Sequence, residues 1–204
     1  MANMTHRERV LAALNHEEPD RVPKDLGQGP ASAINTLAYD RLVEQLGYQD
    51  RDADSKVNPF ARTTYPSDAI MRRLDIDCRA LPTSVVGHEM LDDNTYRDEW
   101  GTLWARAEGG QYIYAEGPFQ RKEPTLAELD AHAWPDFRDP ARVVGLKEAA
   151  VRLREKNEYA TVLHLPYACV WDCQRVRGFA EYLEDMAARP VLAEAILEHC
   201  LAID

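Results

Sequence analysis

The chain has 204 residues, 45% hydrophobic and 29% charged, which suffices for one domain with a sizeable core and excludes a disordered or fibrous protein. Against 24 Lys and Arg stand 35 Asp and Glu, a formal charge of −11, and no local basic patch offsets it, so no nucleic-acid partner is expected. No apolar run reaches the roughly 20 residues of a membrane span. His6-Arg7-Glu8-Arg9 stands where a signal peptide would be apolar, so the expected setting is the cytoplasm, with no membrane partner. There the four cysteines, Cys78, Cys169, Cys173 and Cys200, stay reduced.

In chain order, Thr5 and Glu8 form a capping box for a first helix, with Val10, Ala13 and Leu14 on one face and Pro19 ending it. Val22 to Leu26 is a predicted first strand, followed by a small-residue loop, Gly27 to Ser32. Tyr39, Leu42, Val43 and Leu46 mark a second helix that Gly47 stops. Asp50 to Pro66 reads as loop. Ser67 caps a third helix through Leu74, packed by Ile70, Met71 and Leu74. Ile76, Cys78 and Ala80 alternate with Asp77, Arg79 and Leu81, a second strand ended by Pro82.

Trp100 to Gly117 has a hairpin pattern, part of an insertion at about residues 95–118: Gly109-Gly110 supplies a tight turn, and Tyr112 and Tyr114 face Ala107 and Ala105. His132 to Arg138 is a loop into a helix that Asp139 caps and Pro140 begins, with Val143, Leu146, Ala150 and Leu153 as its buried stripe. Tyr159 to Leu165, YATVLHL, is nearly continuous in apolar residues, as a third strand covered on both faces would be. Phe179, Tyr182, Leu183 and Met186 then predict a helix, and Pro190 opens another with Leu192, Ala195, Ile196 and Ile203 on one side. That last stripe is still running at Asp204. Strands alternating with helices describe a parallel α/β domain, and the expectation is that these residues are its beginning.

Four segments, MTHRERVLAALNHEEPDRVP, YRDEWGTLW, AWPDFRDPARVVGLKEAAVRLRE and RVRGFAEYLEDMAARP, together resemble the uroporphyrinogen decarboxylase family, in particular its branch related to corrinoid-dependent methyltransferases. The resemblance covers essentially the whole chain and implies a (β/α)8 TIM barrel. Such barrels take about 250 residues, so residues 1–204 would be the N-terminal part of one barrel domain, carrying about three of its strands. The first helix would close the underside of the barrel, and Arg21-Val22-Pro23 would feed its first strand.

The family divides by chemistry. Decarboxylating uroporphyrinogen requires cations above the strands to hold a tetrapyrrole fringed with carboxylates, and the decarboxylases carry a Met-Arg-Gln-Ala-Gly-Arg pattern there. The corresponding stretch here, Leu26 to Tyr39 (LGQGPASAINTLAY), has no Lys or Arg, which argues for the other branch. That branch implies zinc, which holds and deprotonates a thiol acceptor, with a methylated corrinoid protein or small methyl donor as partner and a thiol or another corrinoid as acceptor. Its zinc ligands, a His-x-Cys pair and a later Cys, would lie beyond Asp204, so no metal ligand and no catalytic residue is assigned in this chain. The alternatives are uroporphyrinogen decarboxylation itself, a lyase reaction without cofactor, and a non-catalytic partial barrel that self-associates through open sheet edges.

Barrel chemistry sits at the C-terminal ends of strands. That rule selects Asp25 and Gln28 after the first strand, Asp77 and Arg79 near the second, and His164 and Tyr167 at the third. Asp25, Gln28, His164 and Tyr167 are the candidate substrate contacts. His164 is read either as a hydrogen-bonding or acid–base group at the mouth of an apolar strand, or as a satisfied core histidine; Asp77 and Arg79 are also readable as partners of neighbouring charges. Cys169 and Cys173 share a helical face but do not complete a metal site and read as core thiols. Trp134-Pro135-Asp136 would need a Cys-x5-Arg loop to serve a phosphatase. Cys169 to Arg175, CVWDCQR, has that spacing but is too bulky to cradle a phosphate. The aromatic hairpin reads as a lid or a dimer contact.

Overall fold

In the computed structural model of the chain the described residues are 3–27, 32–48, 56–58, 61–84, 86–121, 123–156, 158–165 and 169–201. In chain order the elements are α1 (His6–Leu14), β1 (Ile34–Asn35), α2 (Thr36–Gln45), β2 (Lys56–Asn58), β3 (Thr63–Tyr65), α3 (Asp68–Arg73), β4 (Cys78–Pro82), β5 (Glu89–Met90) and β6 (Thr95–Arg97). They continue with β7 (Leu103–Arg106), β8 (Tyr112–Glu116), α4 (Leu126–Asp130), a 3-10 turn (Pro140–Val143), α5 (Leu146–Lys156), β9 (Ala160–His164), α6 (Cys169–Arg177), α7 (Phe179–Ala188) and α8 (Pro190–Leu201). These form two compact units, one of Met1–Ser84 with Val143–Leu165, the other of Val85–Arg142 with Pro166–Asp204.

In the first unit, β4 and β9 pair in parallel from Cys78 opposite Ala160 to Pro82 opposite His164. The capping box forms as the sequence predicts: Thr5 Oγ1 accepts from the Glu8 amide at 3.2 Å, and the Glu8 carboxylate accepts from the Thr5 amide at 2.8 Å. The helix ends well before Pro19, because His16 turns to φ +61° and the next amide reaches back to the Ala12 carbonyl. Helices α2 and α3 pack through Tyr39, Val43 and Ile70.

Five expectations for this unit are corrected. Val22 to Leu26 forms no strand: Pro23 has no N–H to give a ladder, and Lys24 instead binds Asp77, its amide donating to Oδ2 at 2.7 Å and its carbonyl accepting from the Asp77 amide at 2.9 Å. Within the expected loop Asp50 to Pro66, β2 and β3 pair antiparallel, and β3 also pairs with β1; Thr63-Thr64-Tyr65 has the β-branched and aromatic character of a strand. Helix α5 starts at Leu146, not Pro140, because Gly145 at φ +73° separates it from the 3-10 turn. No residue of α5 is buried, and Val143 is 53% exposed. On β9 the two-sided cover is also missing among the described residues, with Leu163 51% exposed.

The second unit combines an antiparallel sheet, β5-β6-β7-β8, with α4, α6, α7 and α8. The expected hairpin is thus half of a four-stranded meander. Its register differs from the expected one: Tyr112 lies opposite Arg106 and Tyr114 opposite Trp104, with a bulge at Leu103/Trp104, because only Gly110 of the turn takes a positive φ. Helix α4 was not predicted, although Thr125 and Glu128 close a second capping box. The core gathers Trp100, Leu129, Cys173, Val176, Tyr182 and Ile196. On α7 only Tyr182 of the predicted stripe is buried, while Phe179, Leu183 and Met186 are exposed. On α8 Leu192 and Ile196 are buried as predicted, joined by Ala193 and Cys200, and Ile203 lies outside the described residues.

A close approach fixes this packing. A Cβ on Gly117 would lie 2.5 Å from the backbone oxygens of both Arg175 and Val176, while Phe119, two residues on, donates its amide to Val176 O at 3.0 Å. Gly117→Ala is therefore expected to force β8 away from α6 and to lower stability by about 1–3 kcal/mol, the range for overpacking. An unchanged urea midpoint would contradict this.

Candidate functional site at the strand mouth

The parallel β4–β9 pair defines two ends, and the charged residues gather at the N-terminal one. At its C-terminal end Pro82 stands opposite His164, and Thr83 secures the exit, its amide and Oγ1 donating to the His164 carbonyl at 3.4 and 3.3 Å. The His164 imidazole is half-buried, and burial holds its pKa below the ordinary histidine value. Its ring has no hydrogen-bond partner among the described residues. A neutral, unpartnered imidazole at a strand mouth can accept a proton or a hydrogen bond from a ligand.

Asp25 does not join it. Because Lys24 binds Asp77, Asp25 lies beside the beginning of β4. A strand rises about 3.3 Å per residue, so the four steps from Cys78 to Pro82 put roughly 13 Å along the strand between that level and His164. Asp25 is exposed, and its charge helps burial push the Cys78 thiol up to about 11. Gln28 and Tyr167 lie outside the described residues.

The N-terminal end holds an ion cluster that the sequence reading did not assemble. Asp77, fully buried, accepts from His6 Nδ1 at 2.8 Å, Arg9 Nη1 at 2.6 Å and Arg21 Nη1 at 2.7 Å. Arg9 also clasps Asp20, with Nε to Oδ1 at 2.5 Å and Nη2 to Oδ2 at 2.9 Å. Arg79 donates from Nε to Asp68 at 2.7 Å, and its guanidinium lies 3.6 Å from the Tyr159 ring centroid. Asp77 and Arg79 are thus partners of neighbouring charges, the second of the two expectations for them. The available signal was the spacing of Arg9, Asp20 and Arg21, three charges around one short helix.

An open furrow of ≈ 800 Å³ runs between α1, α5 and β9, walled by Val10, Leu11, Leu14, Leu153 and Val162, with Arg7 and Arg154 also lining it. None of its lining residues carries a carboxylate, imidazole or thiol, so beside its apolar surface and two cations it offers the hydroxyls of Tyr159 and Thr161.

The remaining motif residues serve the fold. Asp98 accepts from the amides of Trp100 and Thr102 at 2.9 and 3.0 Å and from Trp104 Nε1 at 2.7 Å. Glu99 pairs with buried Arg142. Trp134 donates Nε1 to the Leu129 carbonyl at 2.8 Å and stacks on His199 at 4.8 Å, the placement of a core residue rather than of a mobile acid loop. Among the described residues no group of three or more His, Cys, Asp or Glu could hold a metal ion, and no helix is long and apolar enough to cross a membrane. No family model, curated protein or solved structure matches the chain.

Proposed function

We propose that this chain is part of a (β/α)8 barrel of the uroporphyrinogen decarboxylase family whose chemistry is methyl transfer from a corrinoid to a thiol or second corrinoid. The observation that carries the barrel reading is the parallel register of β4 and β9, strands far apart in sequence with helix α5 immediately before the second. Parallel strands joined through a helix are the repeating step of such a barrel. Among the described residues β9 pairs along one edge, with β4, and a further barrel strand would add to the other. That other edge also suits the alternative of self-association. The choice of methyl transfer over decarboxylation rests on the uncharged stretch Leu26 to Tyr39.

On this reading the zinc ligands come from outside these residues, and zinc would lower the pKa of the acceptor thiol. Among the described residues no group of three or more His, Cys, Asp or Glu fits the metal. The chain's own contribution is to position: the Asp77 cluster anchors the foot of β4, and His164 at the opposite end receives a hydrogen bond or proton from the ligand.

The test is spectroscopic. A polypeptide that joins these residues to the zinc-bearing remainder of the barrel is mixed, with zinc supplied, with methylcobalamin and a small thiol, and loss of the methyl–cobalt absorbance is followed. The expected result is thiol methylation with release of cob(I)alamin, slowed at least tenfold in His164→Ala while the fold is retained. No demethylation together with turnover of uroporphyrinogen would replace this reading by the decarboxylase. Turnover of neither would leave a non-catalytic scaffold.

A further inference from the structure

The furrow of ≈ 800 Å³ between α1, α5 and β9 has no part in the site at the strand mouth. All of its lining residues belong to the first unit. Its size is that of a small-molecule site, which ordinarily combines apolar walls with a few placed polar groups. Its two cations, Arg7 and Arg154, are exposed, and neither guanidinium has a partner among the described residues. That is unusual in a chain of formal charge −11, whose Arg9, Arg21, Arg72 and Arg79 all meet carboxylates. No lining residue carries a negative charge to neutralise the pair.

The furrow is also graded along its length. The Arg7 amide donates to the Glu158 carbonyl at 3.3 Å, which sets Arg7 at the foot of β9. Arg154 is in the last turn of α5, which ends at Lys156, just before β9 begins at Ala160. Both cations therefore stand at one end. Away from it the walls turn apolar: Leu14 lies on the Arg7 face of α1, two turns or about 10 Å further on, and Ala150 is one turn back from Arg154, about 6 Å. Val162 is about 10 Å up the strand from Tyr159. Leu14 is 70% exposed, so this end offers bare apolar surface.

We propose that the furrow binds an amphipathic carboxylate, a linear alkyl acid whose head lies between Arg7 and Arg154 and whose tail runs along Val10, Leu14, Leu153 and Val162. The two guanidiniums supply the planar, forked donors that suit a carboxylate, and covering the leucine and valine side chains supplies the apolar gain. Charge and polarity thus agree on one occupant: a cationic end selects the anionic head, and an apolar end selects the tail.

The proposal does not rest on the barrel reading, and failure of that reading leaves its test unchanged. The full chain is titrated calorimetrically with hexanoate, octanoate and decanoate. The expected result is saturation at a single site, with affinity rising about two- to fourfold for each added methylene, the upper figure being that of a fully buried CH2. Octanol and octyltrimethylammonium, with the same tail and no negative charge, are expected to bind roughly tenfold or more weakly than octanoate. Arg7→Gln and Arg154→Gln should each weaken octanoate roughly fivefold and leave octanol unchanged, while Leu14→Ser flattens the dependence on tail length. All three side chains are exposed, so these variants keep the fold. Equal binding of octanoate and octanol, binding without saturation, or unchanged affinity when both arginines are replaced would overturn the proposal. A chain dimer that Leu14→Ser dissolves would overturn it too, by assigning the furrow to a second copy. So would loss of binding once these residues are joined to the remainder of a barrel, which would assign the furrow to that remainder.

Discussion

Asp77→Ala is expected to lower the stability of the first unit by about 3–5 kcal/mol, the cost of breaking a buried ion pair from one side. The carboxylate is fully buried and meets three cationic or imidazole side chains and the Lys24 amide. Its removal leaves Arg9, itself 6% exposed, with Asp20 as its carboxylate partner and the Met4 carbonyl. Burial by itself would raise the Asp77 pKa, yet the hydrogen bonds from Arg21, the Lys24 amide, His6 and Arg9 outweigh it and hold the carboxyl well below the usual carboxylate range. A depressed carboxylate stabilises the fold fully above its unfolded pKa of about 3.9. That stabilisation is withdrawn as pH falls toward the folded value. Asp20 acts in the same direction, lowered to about 2 chiefly by its hydrogen bond from Arg9. The gap between wild type and Asp77→Ala is therefore largest near neutral pH and shrinks between about pH 4 and pH 2. Urea unfolding at pH 7 and pH 3, read through hydrogen exchange of the Cys78–Pro82 amides, measures it. A gap of equal size at both pH values would show that the cluster works by packing and not by charge.

The same cluster shows why local elements were more legible than the site. The capping box at Thr5 and Glu8, the stop at Gly47 and the cap at Ser67 are local, set by residues three or four apart, and each forms as read. Residues distant in sequence were misread wherever a tertiary partner decided the outcome. Lys24 abandons a ladder for Asp77, and Tyr112 shifts one place against its partner strand. Apolar stripes promised burial that α5 and much of α7 do not receive among the described residues. The segments that carry the family resemblance turn out to hold the fold. Arg9 and Arg21 meet Asp77, Asp98 organises the turn around Trp100, and Arg177 pairs with Asp185 at 2.6 Å. Charges neutralised internally in this way serve packing and leave little for chemistry. Of the two candidate contacts among the described residues, His164 lies at the strand mouth with no partner there for its ring, and Asp25 lies at the other end.

Trp100→Ala is the second large effect, an expected loss of about 3–5 kcal/mol from the second unit. The indole is fully buried, edge-on to Trp134 at 6.3 Å, 5.9 Å from Phe137, and beneath the Arg175 guanidinium at 5.2 Å. These neighbours are themselves held in place, Trp134 by the Leu129 carbonyl and by His199, Arg175 by Asp172 at 3.1 Å. Such walls resist collapse, so the deletion leaves a cavity, and the cost falls in the upper part of the range. A cavity of this shape is an apolar binding site. Added indole should therefore raise the Tm of Trp100→Ala in a concentration-dependent way and leave the wild type unchanged, because a ligand that binds only the folded state stabilises it by mass action. If indole fails to rescue the variant, the surrounding rings have closed over the gap and the rigidity assigned to them here is wrong. A backbone that stays in place keeps the His132 imidazole on the Trp100 carbonyl, 3.0 Å away in the wild type, and the histidine resonance reports that contact independently.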